Sequence, residues 1–224
     1  MYYKSPGTRR AFSVLAAFAI LLLAAAALAA PPKPIDFDSD KTGGPPAGWT
    51  FGRTGKGEPG SWVVEDGKPL GASGRVLVQR SADGTDYRFP VALAPHAPFT
   101  DGSITVRCRP ISGKVDQACG VVLRAKDEND YVVARANALE DNVRLYNVTK
   151  GSRKQFAGWN GKVASGAWHT LSLSAKGAEY VVTFDGEELI RAKNPEQAGP
   201  GKAGLWTKAD SVTAFDEVAI DVAK

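Results

Sequence analysis

From Ile35 onward, apolar and polar positions alternate in short runs, separated by clusters of Gly, Pro, Asp and Asn. A period of two is the mark of a half-buried strand, because successive side chains point to opposite faces. The pattern predicts strands at 61–65, 75–79, 104–109, 118–124, 131–137, 142–149, 168–175, 179–184, 187–192, 203–208 and 211–221. Asp185-Gly186 sits between two such runs and reads as a primed hairpin turn. After residue 30 no window shows a capped helical period. Many short strands at even spacing predict an all-β sandwich or barrel. The stretch 43–60 reads as loop, tied to the core by Trp49, Phe51 and Trp62.

The run from Gly120 to Tyr146 carries the most chemistry. Folding it about Ala138-Leu139-Glu140-Asp141 places Asn137 opposite Asn142, Arg135 opposite Arg144, and Val133 opposite Tyr146. The other face of that hairpin is apolar, with Ala136 opposite Val143 and Ala134 opposite Leu145. Continuing the register pairs Gly120 with Arg135, Ala118 with Asn137 and Arg124 with Tyr131. Like charges directly opposite each other destabilise a sheet unless something bridges them. Arg124, Tyr131, Arg135, Asn137, Asn142 and Arg144 are therefore the candidate ligand-binding residues. Trp206 joins them if Ala209-Asp210 is a two-residue turn, which would set its indole opposite Thr213 on the polar side. The alternative is a solvated face whose arginines pair with carboxylates nearby.

The two cysteines fit a similar argument. A hairpin about Ser112-Gly113-Lys114 that pairs Val106 with Val121 and Ile104 with Leu123 sets Cys108 opposite Cys119, within disulfide reach. Two buried free thiols are the alternative.

Three segments, DGSITVRCRPISGKVDQACGVVLRAKDENDYVVARANALEDNVRLYNV, AWHTLSLSAKGAEYVVTFDGEELIRA and GKAGLWTKADSVTAFDEVAI, resemble concanavalin A-like jelly rolls. They look most like the bacterial branch related to laminin-G and 3-keto-disaccharide hydrolase domains. The resemblance spans residues 35–222 and implies a two-sheet antiparallel β-sandwich with one concave face. Its members bind glycans, act on them, or serve as structural modules. A carbohydrate or other polyhydroxylated small ligand is thus the implied partner. The resemblance also raises calcium as a cofactor, with Asp38 and Asp216 as candidate ligands. A hydrogen bond from loop backbone is the simpler account of a buried Asp216. The family pattern has ordinary strand residues at the two cysteine positions, so a bond there would be an addition to it.

Composition and charge narrow the field. Residues 1–29 read as a signal peptide: Lys4, Arg9 and Arg10 precede an Ala/Leu-rich run that ends in Ala27-Leu28-Ala29, with the cut placed after Ala29. An uncleaved anchor is the alternative. Residues 30–34 form a Pro-rich lead-in, and 35–224 the jelly-roll domain. Thr8-Arg9-Arg10-Ala11-Phe12 resembles a twin-arginine signal, so the expected location is periplasmic or secreted by either route. Removing the three basic residues takes the formal charge from +4 to +1, which points away from nucleic acid and from anionic membrane surfaces.

No constellation in the chain defines an enzyme. Gly55-Lys56-Gly57-Glu58-Pro59-Gly60 matches a dinucleotide fingerprint in letters but lacks the preceding strand and following helix. Glu217, Ala219 and Asp221 share a strand face, but alanine stands where a jelly-roll glucanase needs a carboxylate, so laminarinase-type cleavage is not expected. His96 and His169 are the only histidines, and neither belongs to a metal or nucleophile motif. The expectation is an exported carbohydrate-binding sandwich. An enzyme of the 3-keto-disaccharide type, for which Glu140, Asp127 and His169 would be tested first, is one alternative, and a non-catalytic envelope module is the other.

Overall fold

The computed structural model describes residues 1–2 and 33–223; the rest of the expected signal peptide and most of the lead-in lie outside them. In chain order the strands are β1 (Thr50–Gly55), β2 (Trp62–Asp66), β3 (Arg75–Gln79), β4 (Arg88–Leu93), β5 (Gly102–Ser112), β6 (Ala118–Asp127) and β7 (Asp130–Asn137). They continue with β8 (Asn142–Thr149), β9 (Ser152–Asn160), β10 (His169–Lys176), β11 (Glu179–Phe184), β12 (Glu187–Lys193), β13 (Lys202–Trp206) and β14 (Val212–Val222). Short 3-10 turns at Lys68–Leu70 and Pro195–Gln197 are the only helical pieces among the described residues.

Two seven-stranded antiparallel sheets form a jelly-roll β-sandwich. The first runs β1-β4-β13-β6-β7-β8-β9 and the second β12-β11-β10-β5-β14-β3-β2. Between them lies the main core, in which Val121, Leu123, Ala134 and Leu145 of the first sheet meet Ile104, Val106, Leu171 and Phe215 of the second. Asp185 and Gly186 both take positive φ, as a type I′ turn requires, and Phe184 pairs with Glu187.

Three strands were not legible as strands. β1 contains two glycines and falls in the stretch read as loop. β4 is RFPVAL, whose proline argues against a strand interior. β9 is an edge strand, mostly solvated, with its register broken at Leu145/Tyr146, so its alternation is lost.

Two expected hairpins do not exist. β5 and β6 belong to different sheets, as do β13 and β14. Val106 pairs with Leu171, not with Val121, whose partners are Ala134 and Leu205. The disulfide is nonetheless present: Cys108 and Cys119 are bonded across the sandwich, with Cα atoms 6.3 Å apart. Core-facing alternation is the same whether two strands pair edge to edge or face each other across a core. The sequence therefore identified which residues point inward but not which sheet each strand joins.

The outer face of the first sheet is curled enough to hold a second apolar cluster, including Phe89, Val91, Tyr131, Val133, Tyr146, Val148 and Trp206. The curl starts where the β6–β7 register breaks between Leu123 and Asp127, and where Arg124 takes φ 54°. The hairpin tip then bends over β1. Thr54 Oγ1 donates to the carbonyl of Glu128, and the amide of Gly151 donates to that of Asn129 at 2.9 Å. Gly52 is required there, since a Cβ would stand 2.6 Å from that of Glu128.

Candidate functional site

One end of the outer face is built by β7, β8 and β9. The β7–β8 register is the expected one: Asn137 faces Asn142, Arg135 faces Arg144, Val133 faces Tyr146, and Tyr131 faces Val148. β9 extends the rows, placing Asn160 beside Asn142, Gly158 beside Arg144, Gln155 beside Tyr146 and Arg153 beside Val148.

The two facing arginines do not remain bare charges. Arg135 is buried and bonds Glu140 Oε2 at 2.6 Å, Asn142 Oδ1, and Tyr146 OH at 3.2 Å. Arg144 turns the other way and donates to Trp159 O and Asn160 Oδ1, both at 2.6 Å. Gly158 makes that path available, because a Cβ there would lie 2.8 Å from Arg144 Cδ. Each guanidinium thus finds acceptors in its own direction, and their repulsion across the strand pair is reduced.

Glu140 links this pair to a second one. Lys208 Nζ lies 2.6 Å from Asp116 Oδ2 and 3.8 Å from Glu140 Oε1. Asp116 is fully buried, and burial pushes its carboxyl above the ordinary range despite Lys208 and the amide of Asn137. Burial acts on Glu140 in the same direction, but Arg135, Asn142 and Lys208 outweigh it and hold that carboxyl below its ordinary value. Asn137 is buried and committed to Asp116 and to the amide of Leu139.

Three candidate residues sit differently from the expectation. Arg124 does not pair with Tyr131; the register break carries its side chain off the face and into the protein. There it donates to the carbonyls of Thr100, Gly177 and Gln197, to Tyr180 OH and to Asp101. Trp206 is not an exposed platform. With β13 and β14 in separate sheets it has no Thr213 partner, and its ring lies over Gly120, stacked on Phe89 at 5.2 Å. Tyr131 is on the expected face but buried; its hydroxyl accepts from Trp206 Nε1 at 3.1 Å and lies 2.7 Å from Thr54 Oγ1. Burial pushes the Tyr131 phenol up to about 12.

Arg153, Gln155, Asp116 and Lys208 were not singled out from sequence. The first two lie on β9, whose alternation is masked. The other two come from connecting segments, where no periodicity reports direction. Arg153 is the most unusual of these residues. Its guanidinium lies 4.4 Å from the Phe89 ring centre, 4.3 Å from that of Tyr146 and 5.9 Å from that of Trp206.

The residues considered for catalysis or metal are engaged elsewhere. Asp127 Oδ1 accepts from the amide of Asn129 at 2.7 Å, as in a polar turn. His169 is buried in β10, with Nδ1 2.7 Å from Asp185 Oδ2 and Nε2 2.9 Å from Ala164 O. Asp38 Oδ1 accepts from the amide of Arg75, and Asp216 Oδ1 from that of Glu217. Among the described residues no group of three or more His, Cys, Asp or Glu is placed to share a metal ion.

No protein-family model matches the chain, and no curated protein matches it in sequence. Solved structures do match in fold. A carbohydrate-binding module, CBM66 from Bacillus subtilis, superposes with TM-score 0.61 at 20% identity, covering 78% of this chain and 95% of that one. Domain 4 of AbnA, an extracellular arabinanase from Geobacillus stearothermophilus in complex with arabinotriose, gives 0.56 at 17%, covering 86% and 92%. The beta-glucanase of Bacillus licheniformis gives 0.54 at 13%, covering 84% and 97%. At these identities the likeness shows the two-sheet β-sandwich fold alone, since one fold hosts many functions.

Proposed function

We propose that this chain is an exported carbohydrate-binding domain whose ligand lies across the β7–β9 end of the first sheet's outer face. The observation that carries this reading is the concentration of planar donors there. Arg144, Gln155 and Asn160 line the β8–β9 side, and Arg135 and Asn142 lie beside them, with Glu140 as an acceptor. Guanidinium and amide groups present several donors in fixed geometry, which suits the closely spaced oxygens of a sugar. Two of the structures similar in fold are named for carbohydrate binding or hold an arabinotriose, which supports the same reading. A glycan array probed with the purified protein tests it. Binding should be lost on Arg144→Ala, and an array without a single hit would reject the proposal.

Export is part of the proposal. It rests on the signal-like residues 1–29, with residues 30–34 as lead-in and 35–224 as the domain, and on a disulfide that an oxidising compartment would maintain. Protein recovered from outside the cytoplasm should begin at Ala30; an intact Met1 would refute cleavage.

One observation favours a second reading, cleavage of a glycoside of the 3-keto-disaccharide type. Asp116 and Glu140 flank Lys208 with carboxyl pKa values displaced in opposite directions, as in an acid/base pair. Asp116 is sealed beneath Lys208, so a substrate would reach only Glu140, and binding remains the stronger reading. A hydrolysis assay on 3-keto-glycosides separates the two.

A further inference from the structure

The guanidinium of Arg153 is held on this face by aromatic rings. Phe89, Tyr146 and Trp206 surround its guanidinium. Among the described residues that group donates no hydrogen bond, although its Nη1 is buried. A buried donor without an acceptor calls for an explanation. The arginine is also fixed in place: its backbone amide donates to Tyr87 OH at 2.7 Å, and the same hydroxyl donates to Gly151 O at 3.2 Å. Cation–π contact orients a guanidinium without using its N–H groups, so the donor edge stays uncommitted.

The charges nearby point the same way. Asp116 is neutralised by Lys208 and Glu140 by Arg135. Arg144 and Arg153 have no carboxylate partner among the described residues, and Arg144 has already committed Nη1 and Nη2 to acceptors on β9. An incoming ligand therefore meets two uncompensated positive charges. Tyr146 links Arg153 to Arg135, which also stacks on its ring at 5.8 Å and has a buried, unpartnered Nε.

Resting on the carbohydrate reading above, we propose that the ligand is an acidic glycan, and that Arg153 receives its carboxylate. Neutral sugar hydroxyls would leave both charges unpaired. A carboxylate can accept two parallel N–H bonds from one guanidinium.

The test measures binding of the purified full chain to polygalacturonate, to the same polymer fully methyl-esterified, and to neutral arabinan. Esterification removes the charge and keeps the sugar. The acid form should bind about tenfold or more tightly than the ester, as expected for a charge-assisted contact. Arg153→Met retains the aliphatic stem within the aromatic cage. It should erase the preference for the acid form over the ester. If Arg153→Met fails to fold, Arg153→Lys takes its place; it keeps the charge but not the planar fork, and should lower affinity for the acid form alone by several-fold. Equal binding of acid and ester, or unaltered acid affinity in the variant, overturns the acidic-ligand inference while glycan binding stands. No binding to any of the three polymers, with an empty glycan array, overturns both.

Discussion

Cys108 and Cys119 are bonded across the sandwich although the strands that carry them never pair. The bond joins β5 of one sheet to β6 of the other, at a sequence separation of 11. A loop that short removes little entropy from the unfolded chain, so the loop-entropy model gives about 2–3 kcal/mol. Replacing both cysteines by alanine should lower unfolding free energy by about that amount and leave the fold intact. Denaturant titration of the double variant checks this; an unchanged midpoint would show that the bond contributes nothing.

Arg124 sits at the register break of β6 and anchors that point to the rest of the protein. It is fully buried, and all its side-chain bonds go to groups outside the candidate ligand face. Arg124→Met should destabilise the protein by about 3 kcal/mol or more, since several buried acceptors lose their donor at once. Thermal unfolding measures it. Loss of glycan binding in a variant of wild-type stability would instead return Arg124 to the ligand face.

Asp210 fixes the crossover between β5 and β6. Its carboxylate accepts from the amides of Lys114, Val115 and Asp116. Burial acts to raise its pKa, but those amides outweigh it and hold the carboxyl below its ordinary range. The stability it contributes is therefore present above the unfolded-state pKa and is lost as pH falls through the lower folded value. Asp210→Ala should cost about 1–3 kcal/mol at neutral pH, chiefly by leaving the buried amide of Asp116 without its acceptor. The gap to wild type should narrow in acid, and a gap independent of pH would contradict the assignment.

Tyr131 gives the opposite signature. Burial raises its phenol to about 12, so the folded state holds the proton more tightly than the unfolded chain. Its contribution is complete below about pH 10 and is lost as pH rises towards 12; two units correspond to about 2–3 kcal/mol. Urea unfolding between pH 9 and 11.5 should show wild type losing stability faster than Tyr131→Phe. Parallel curves would mean that Tyr131 ionises as freely in the folded protein as in the unfolded one.

Arg144→Ala should separate binding from folding. Its bonds to Trp159 O and Asn160 lie at the sheet's exposed edge, so unfolding free energy should change by no more than about 1 kcal/mol. Affinity for the best array hit should drop. A variant that unfolds while still binding would make Arg144 a structural residue.

The sequence by itself determined which residues of the legible strands face the core, and the two faces of the β7–β8 hairpin. Alternation is a local property, and Ala138–Asp141 closes the hairpin over a short distance, so Arg135 opposite Arg144 followed from spacing alone. It also placed Cys108 and Cys119 on the core side. Which sheet each strand joins was decided only in three dimensions, because inward-facing residues look the same across a core as across a strand pair. That one ambiguity moved Trp206 from an expected exposed surface to a buried stack on Phe89. The break after Leu123 carried Arg124 away from the face, and the polar edge strand β9 brought in Arg153 and Gln155. A bulge and a solvated edge leave no period in the chain, since their positions are set by the neighbours they pack against.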